Sequence, residues 1–237
     1  MSDPVLLPGG RDARGTLDTA AVADGDGTAP TADAVVVACP PHPQHGGDRT
    51  DGRLRAVADE LTDRGVDCLR FDYGPWDRGR GERADVLSAV EWARERYDRV
   101  GLFGYSFGGA VALSAAARGA DVAAVAALAP PARLGADADA DESAGASAET
   151  KESDDGADPT VDVVADLSSI PASMPVRILY GTRDDVADVE PVVAAACDRD
   201  REWDVVAFET DHSFVGRAGD VADAVSAFLV PALDASD

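Results

Sequence analysis

Along this chain, unbroken apolar runs alternate with apolar stripes at helical spacing. Ala34-Val35-Val36-Val37-Ala38-Cys39 is a continuous apolar run closed by Pro40-Pro41, the pattern of a strand buried on both faces of a parallel sheet. Leu54, Val57, Ala58 and Leu61 then recur at helical spacing ahead of Gly65, a residue suited to the position just past a helix end. The same alternation continues, with 66–71 reading as a strand, 83–97 as a helix, 100–104 as a strand and 107–118 as a helix. Beyond it, 122–128, 176–180 and 205–208 read as strands, and 189–197 and 221–228 as helices. At the front, Val5-Leu6-Leu7 and Gly15-Thr16-Leu17 read as two short strands around the glycine-rich turn Pro8-Gly9-Gly10. Strands alternating with helices in this way imply right-handed crossovers and a mainly parallel sheet.

One segment breaks the pattern. From Gly135 to Thr160 there are nine acidic residues and one lysine, a net charge of −8, with no aromatic residue and no Val, Ile or Leu. Such a stretch has nothing to offset the entropy of ordering, and the expectation is a disordered acidic insertion. It follows a strand end, so a lid is the functional reading and a solvated loop the plain one. The remainder of the 237 residues fits one α/β domain.

Composition narrows the function classes. The chain carries 21 cationic side chains against 45 acidic ones, for a formal charge of −24, and Lys151 is its only lysine. Phosphate recognition needs cationic neutralisation, so nucleic acid is not an expected partner, and an anionic membrane surface is disfavoured on the same ground. With a 45% hydrophobic fraction the core is ordinary and the acid belongs to the surface. Together with 5% aromatic content, this resembles the proteins of extreme halophiles, whose carboxylate shells gain from concentrated counter-ions. Cys39, Cys68 and Cys197 are odd in number, and two of them sit in apolar runs, so disulfides are not expected. No secretory leader pattern and no apolar stretch of membrane-spanning length is present, and the expected location is cytoplasmic.

The sharpest local signal is Gly104-Tyr105-Ser106-Phe107-Gly108-Gly109, set between a predicted strand and an alanine-rich predicted helix. The bare G-x-S-x-G pattern arises by chance in Gly- and Ser-rich chains; its strand-to-helix context points to a nucleophile. A serine on such a turn adopts strained backbone angles. Strand and helix approach so closely there that Gly104 and Gly108 must lack side chains, with Gly109 as a spare. Ser106 then stands at a helix N-terminus, where N–H groups favour negative charge developing on a substrate oxygen.

A serine hydroxyl needs a base, and the base needs a carboxylate to fix its tautomer. Of the three histidines, His212 in Thr210-Asp211-His212-Ser213-Phe214 follows a predicted strand, which places it at the carboxyl edge of the sheet, where ligands bind. Tyr180-Gly181-Thr182-Arg183-Asp184-Asp185 is another strand end, and Asp184 is the chosen acid. Asp185 and Asp211 are alternatives; the strand, Gly181 and the order Ser106, Asp184, His212 favour Asp184.

His42 and His45 lie in Pro40-Pro41-His42-Pro43-Gln44-His45-Gly46-Gly47, directly after the first buried run. A metal reading with His42, His45 and Asp48 has no H-E-x-x-H or cysteine pair behind it, so no metal and no cofactor is expected. The loop reads instead as half of an oxyanion hole. The residue after the nucleophile, Phe107, supplies one backbone N–H; Pro43 has none, so Gln44 supplies the other while His42 braces the loop. Tyr105, Phe107, Trp76 and Phe214 are candidates for an acyl pocket or for ordinary core and rim packing.

These pieces resemble the α/β-hydrolase superfamily and, within it, the dienelactone-hydrolase-like branch with its H-P-H-P-x-x-G-G-like loop. The matching residues are Pro41 to Gly47, Gly104 to Gly109, Gly181 to Asp185 and Asp211 to Phe214, in the family's order. The resemblance implies an α/β-hydrolase fold: a mostly parallel eight-stranded sheet with helices on both faces and a serine nucleophile, the first two strands being the 5–17 hairpin. Position 106 is not the cysteine of dienelactone hydrolases proper, the segment Phe71 to Glu82 departs from the family's F-R-G-x-G-x-S, and no large cap domain is recognisable. The expected activity is hydrolysis of a small-molecule ester through an acyl-enzyme. Its rivals are a non-catalytic scaffold that binds a partner and an acyltransferase using the same residues.

Overall fold

The structure, a computed structural model, describes residues 2–20, 32–134, 161–197 and 203–234. The expected acidic insertion, 135–160, lies outside the described residues. The elements are β1 (Ser2–Leu6), β2 (Arg14–Asp18), β3 (Ala34–Cys39), α1 (Gly52–Asp63), β4 (Asp67–Asp72), α2 (Arg80–Arg94), β5 (Arg99–Tyr105), α3 (Phe107–Ala117), β6 (Ala124–Leu128), β7 (Arg133–Leu134), β8 (Val161–Asp162), α4 (Val163–Leu167), β9 (Val176–Gly181), α5 (Glu190–Cys197), β10 (Trp203–Phe208) and α6 (Ala218–Asp234).

Eight strands form one sheet in the order β1-β2-β4-β3-β5-β6-β9-β10. From β4 to β10 every pairing is parallel, and the antiparallel β1–β2 hairpin closes one edge by pairing β2 against β4. The chain thus has the mostly parallel sheet of the α/β-hydrolase fold. Every residue of β3 is buried, and its side chains alternate between two cores. Val35, Val37 and Cys39 pack with α2, α3, α4 and α5, whereas Ala34, Val36 and Ala38 pack with α1 and α6. A central strand covered on both faces has no solvent side, which is why its sequence shows an unbroken apolar run. Among the described residues no helix is long and apolar enough to cross a membrane.

Helix α2 begins and ends three residues earlier than its apolar spacing predicts. The Glu82 carboxylate, fully buried, accepts the N–H groups of Asp77 at 2.7 Å and Gly79 at 2.8 Å, a cap that fixes the start. At the other end Tyr97 lies beyond the helix and donates its hydroxyl to Asp67 at 2.7 Å. The short elements β7, β8 and α4 escape periodicity because none is longer than five residues.

Candidate active site

The Ser106 turn joins β5 to α3 at the carboxyl edge of the sheet. Ser106 has φ +54° and ψ −121°, a conformation that costs a non-glycine residue of order 1–3 kcal/mol. Its neighbours hold it there: the Ser106 N–H donates to the Leu128 carbonyl of β6 at 2.7 Å, and its own carbonyl accepts the Ala110 N–H at 3.1 Å. A Cβ on Gly104 would lie 2.2 Å from the Gly108 carbonyl oxygen, and one on Gly108 would lie 2.2 Å from that of Cys39. Gly109 is not spare, since its Cβ would meet the Gly104 carbonyl oxygen at 3.1 Å. Helix α3 is buried all round from Phe107 to Ala116, so the turn cannot relax outward.

The three side chains chosen from the sequence meet at this edge. His212 Nε2 lies 3.0 Å from Ser106 Oγ, and His212 Nδ1 lies 2.8 Å from Asp184 Oδ2. The other carboxylate oxygen of Asp184 accepts the N–H groups of Val186 at 3.0 Å and Ala187 at 2.9 Å. Burial pushes the Asp184 carboxyl up, but the hydrogen bonds from His212, Ala187 and Val186 outweigh it and hold the group below its ordinary range. An ionised carboxylate can only accept, so His212 carries its proton on Nδ1 and, when neutral, turns the Nε2 lone pair toward the serine hydroxyl. Asp185 is exposed, and Asp211 instead accepts the Ser213 N–H at 3.0 Å.

Two loops had to come together for this geometry. The N–H groups of Thr182 and Arg183 donate to the Phe208 and Thr210 carbonyls at 2.8 and 3.0 Å, fastening the Asp184 loop to the His212 loop. A Cβ on Gly181 would stand 2.6 Å from the Thr210 carbonyl oxygen, which accounts for the glycine that singled out this strand end.

The His42 loop departs from expectation in one respect. Pro43–His45 forms a short 3-10 turn, and His42 Nδ1 accepts the Gln44 N–H at 3.2 Å. The Gln44 N–H expected to face a substrate oxygen is therefore directed at the very side chain that braces the loop. The reason is local: a histidine just ahead of a turn offers a ring nitrogen to an N–H that the turn leaves unsatisfied. Phe107, by contrast, is the first residue of α3, and its N–H lies outside the helix's own hydrogen-bond ladder.

Of the four aromatic candidates for an acyl pocket, Phe107, Phe214 and Tyr105 are core residues, exposed by 1%, 1% and 4%. Trp76 alone keeps an exposed portion. It packs on His42 at a ring separation of 4.6 Å and on Phe107 at 5.5 Å, while His45 stacks on His42 at 4.4 Å. Trp76 and the two histidines thus form an aromatic shelf over the start of α3. Among the described residues no group of three or more His, Cys, Asp or Glu side chains is placed to hold a metal ion.

Sequence reasoning named Tyr105 but not its contact with the His212 loop, and it missed Arg53 altogether. The Tyr105 hydroxyl donates to the His212 carbonyl at 3.0 Å, and Arg53, on α1, donates to the Ser213 carbonyl at 2.7 Å.

The family model of the dienelactone hydrolase family matches residues 77–230. No curated protein matches the chain. Among solved structures, the chain is similar to XC6422 of Xanthomonas campestris, an α/β serine hydrolase without a lid, at a TM-score of 0.72 and 21% identity, over 100% of this chain and 97% of that one. It is similar to Est1E of Butyrivibrio proteoclasticus at a TM-score of 0.71 and 17% identity, over 98% and 99% of the two chains. The esterase Pf2001 of Pyrococcus furiosus aligns at a TM-score of 0.72 and 17% identity, over 98% and 92%. At these identities the shared property is the fold.

Proposed function

The chain belongs to the dienelactone hydrolase family, and from that premise we propose that this hydrolase cleaves small carboxylic esters through an acyl-enzyme on Ser106. The observation that carries the reading is the pair of contacts at His212, 3.0 Å to Ser106 Oγ and 2.8 Å to Asp184. Ser106 Oγ attacks the ester carbonyl carbon as its proton passes to His212 Nε2, and the carbonyl π electrons move to oxygen. The Phe107 N–H at the head of α3 receives that oxyanion, with the helix dipole behind it.

Collapse of the intermediate returns the electrons to the carbonyl and expels the alkoxide, which takes the proton from His212. Water then attacks the acyl-serine by the same steps with His212 as base, releasing the carboxylic acid and restoring Ser106. Asp184 stays ionised throughout and stabilises the imidazolium. None of these steps calls for a metal or a cofactor. The partner is a small-molecule ester; the aromatic shelf of Trp76, His42 and His45 suits a flat group, and Est1E has been solved with ferulic acid bound.

The test is covalent labelling by a fluorophosphonate together with hydrolysis of p-nitrophenyl acetate. Wild type is expected to label at Ser106 and to turn over the ester, and Ser106→Ala to do neither. A wild type that neither labels nor hydrolyses a panel of short-chain and aromatic esters overturns the reading in favour of a partner-binding scaffold.

A further inference from the structure

A general base on a loop works only if its ring is held to within about half an ångström, and although Thr210 and Phe214 of the His212 loop are buried, the residues next to the histidine are not. Asp211 and Ser213, on either side of the histidine, are both exposed. From the β9 side the loop is fastened by the Thr182 and Arg183 N–H groups. From the opposite direction, two consecutive carbonyls of the loop are each met by a side chain of another element.

The first is His212's own carbonyl, which accepts the Tyr105 hydroxyl from the end of β5 at 3.0 Å. The second is the Ser213 carbonyl, which accepts Arg53 Nη1 from the first turn of α1 at 2.7 Å. Arg53 is itself fixed. Its Nε donates to Asp51 Oδ1 at 2.9 Å, its Nη2 pairs with the other carboxylate oxygen, and its guanidinium carbon lies 4.3 Å from the centre of the Tyr105 ring. Asp51 is anchored in turn as the cap of α1, accepting the Arg53 N–H at 2.8 Å. The Tyr105 ring also stands 5.4 Å from the His212 ring.

We propose that Tyr105 and Arg53, with Asp51 behind them, are positioning residues that set the His212 imidazole against Ser106. This rests on the reading of Ser106 as the nucleophile. Tyr105 occupies the variable position of G-x-S-x-G, immediately before the serine, so one residue ties the nucleophile turn to the backbone of its base. The two partners of the proton transfer are thereby referenced to one another as well as to their separate anchors on β6 and the Asp184 loop. Burial pushes the Tyr105 phenol up to about 12, so the hydroxyl remains a donor across the working range. Arg53 serves the same end as a planar fork, with two nitrogens on Asp51 and another on the loop carbonyl, an arrangement a lysine cannot reproduce in full.

The experiment compares Tyr105→Phe, Arg53→Met and Arg53→Lys with wild type in p-nitrophenyl acetate kinetics, fluorophosphonate labelling rate and thermal unfolding. Tyr105→Phe keeps the ring and loses only the hydroxyl. It is expected to lower kcat by roughly 10- to 100-fold, with KM within about twofold and labelling slowed in parallel. Arg53→Met is expected to do the same, with partial recovery in Arg53→Lys. Both substituted side chains keep their apolar packing, and should Tyr105→Phe fail to fold, the half-buried Arg53 pair decides the matter alone. A kcat and labelling rate within about twofold of wild type in the folded variants overturns the brace while leaving the nucleophile assignment intact. A wild type that neither labels nor hydrolyses overturns both.

Discussion

Asp184 and His212 are 28 positions apart in sequence and 2.8 Å apart in space, joined by a carboxylate oxygen and a ring nitrogen. Neutralising the carboxylate without changing its shape isolates what that contact does. In Asp184→Asn the amide can present N–H instead of an acceptor, the imidazole loses its fixed tautomer, and the imidazolium formed during attack loses its counter-charge. A fall in kcat of about 10³- to 10⁴-fold is expected. Asp185→Asn, one residue on and exposed, is expected to stay within about twofold. Equal losses in the two variants would remove Asp184 from its role.

The same carboxylate shapes acid stability. Its folded pKa lies below the usual value because the bonds from His212, Ala187 and Val186 outweigh the cost of burial. The unfolded chain, titrating near the ordinary ~3.9, therefore binds the proton more readily. The stabilisation is fully present above that value and is lost as pH falls through the folded pKa. Thermal unfolding followed from pH 7 to pH 3 is expected to show a steeper loss below about pH 4 in wild type than in Asp184→Asn. Parallel curves would contradict this assignment.

At the Ser106 turn the prediction concerns stability. A Cβ on Gly108 would approach the Cys39 and Pro40 carbonyl oxygens to 2.2 and 2.5 Å, and both are backbone atoms that cannot rotate aside. Gly108→Ala is expected to destabilise the protein by roughly 1–3 kcal/mol, as forced overpacking does, read as a fall in Tm. An unchanged Tm would mean that β3 and α3 are less closely apposed than described.

How much of this was legible in the sequence depends on the kind of signal. Residues such as Val35 to Cys39 and Phe107 to Ala116 betray themselves because full burial leaves almost no polar positions, Ser114 being the exception and bonded to Arg83 and Asp166. Ser106, Asp184 and His212 were legible because each follows a strand in a fixed order, and strand ends converge on one edge of the sheet. The Gln44 N–H was assigned by elimination of Pro43, which cannot reveal that a neighbouring imidazole competes for it. Arg53 and Asp51 were invisible for a different reason. The partners of Arg53 are the Ser213 carbonyl and the Tyr105 ring, contacts that exist only once α1 and the β10–α6 loop are folded side by side, and Asp51 enters through Arg53. Phe214 illustrates the converse: its place beside His212 left pocket lining and core packing both open, and it is buried against Phe208 and Tyr105.

The charge of the chain makes the last prediction. With 45 acidic side chains against 21 cationic ones, most carboxylates have no cation to pair with. Pairs such as Arg70 with Asp18 and Arg11 with Asp85 are largely shielded from solvent and little affected by salt. Surface repulsion is different. Added salt shortens its range from about 10 Å at 0.1 M to about 3 Å at 1 M, after which little remains to screen. Tm is therefore expected to climb between dilute buffer and about 1 M KCl and to rise more slowly above it, where further gain comes from ion exclusion and strengthened apolar burial. The two contributions separate by substitution: replacing several exposed aspartates with asparagine should flatten the low-salt rise and leave the high-salt slope. A Tm that is flat or falling between dilute buffer and molar KCl would show that the acidic surface is not adapted to concentrated salt.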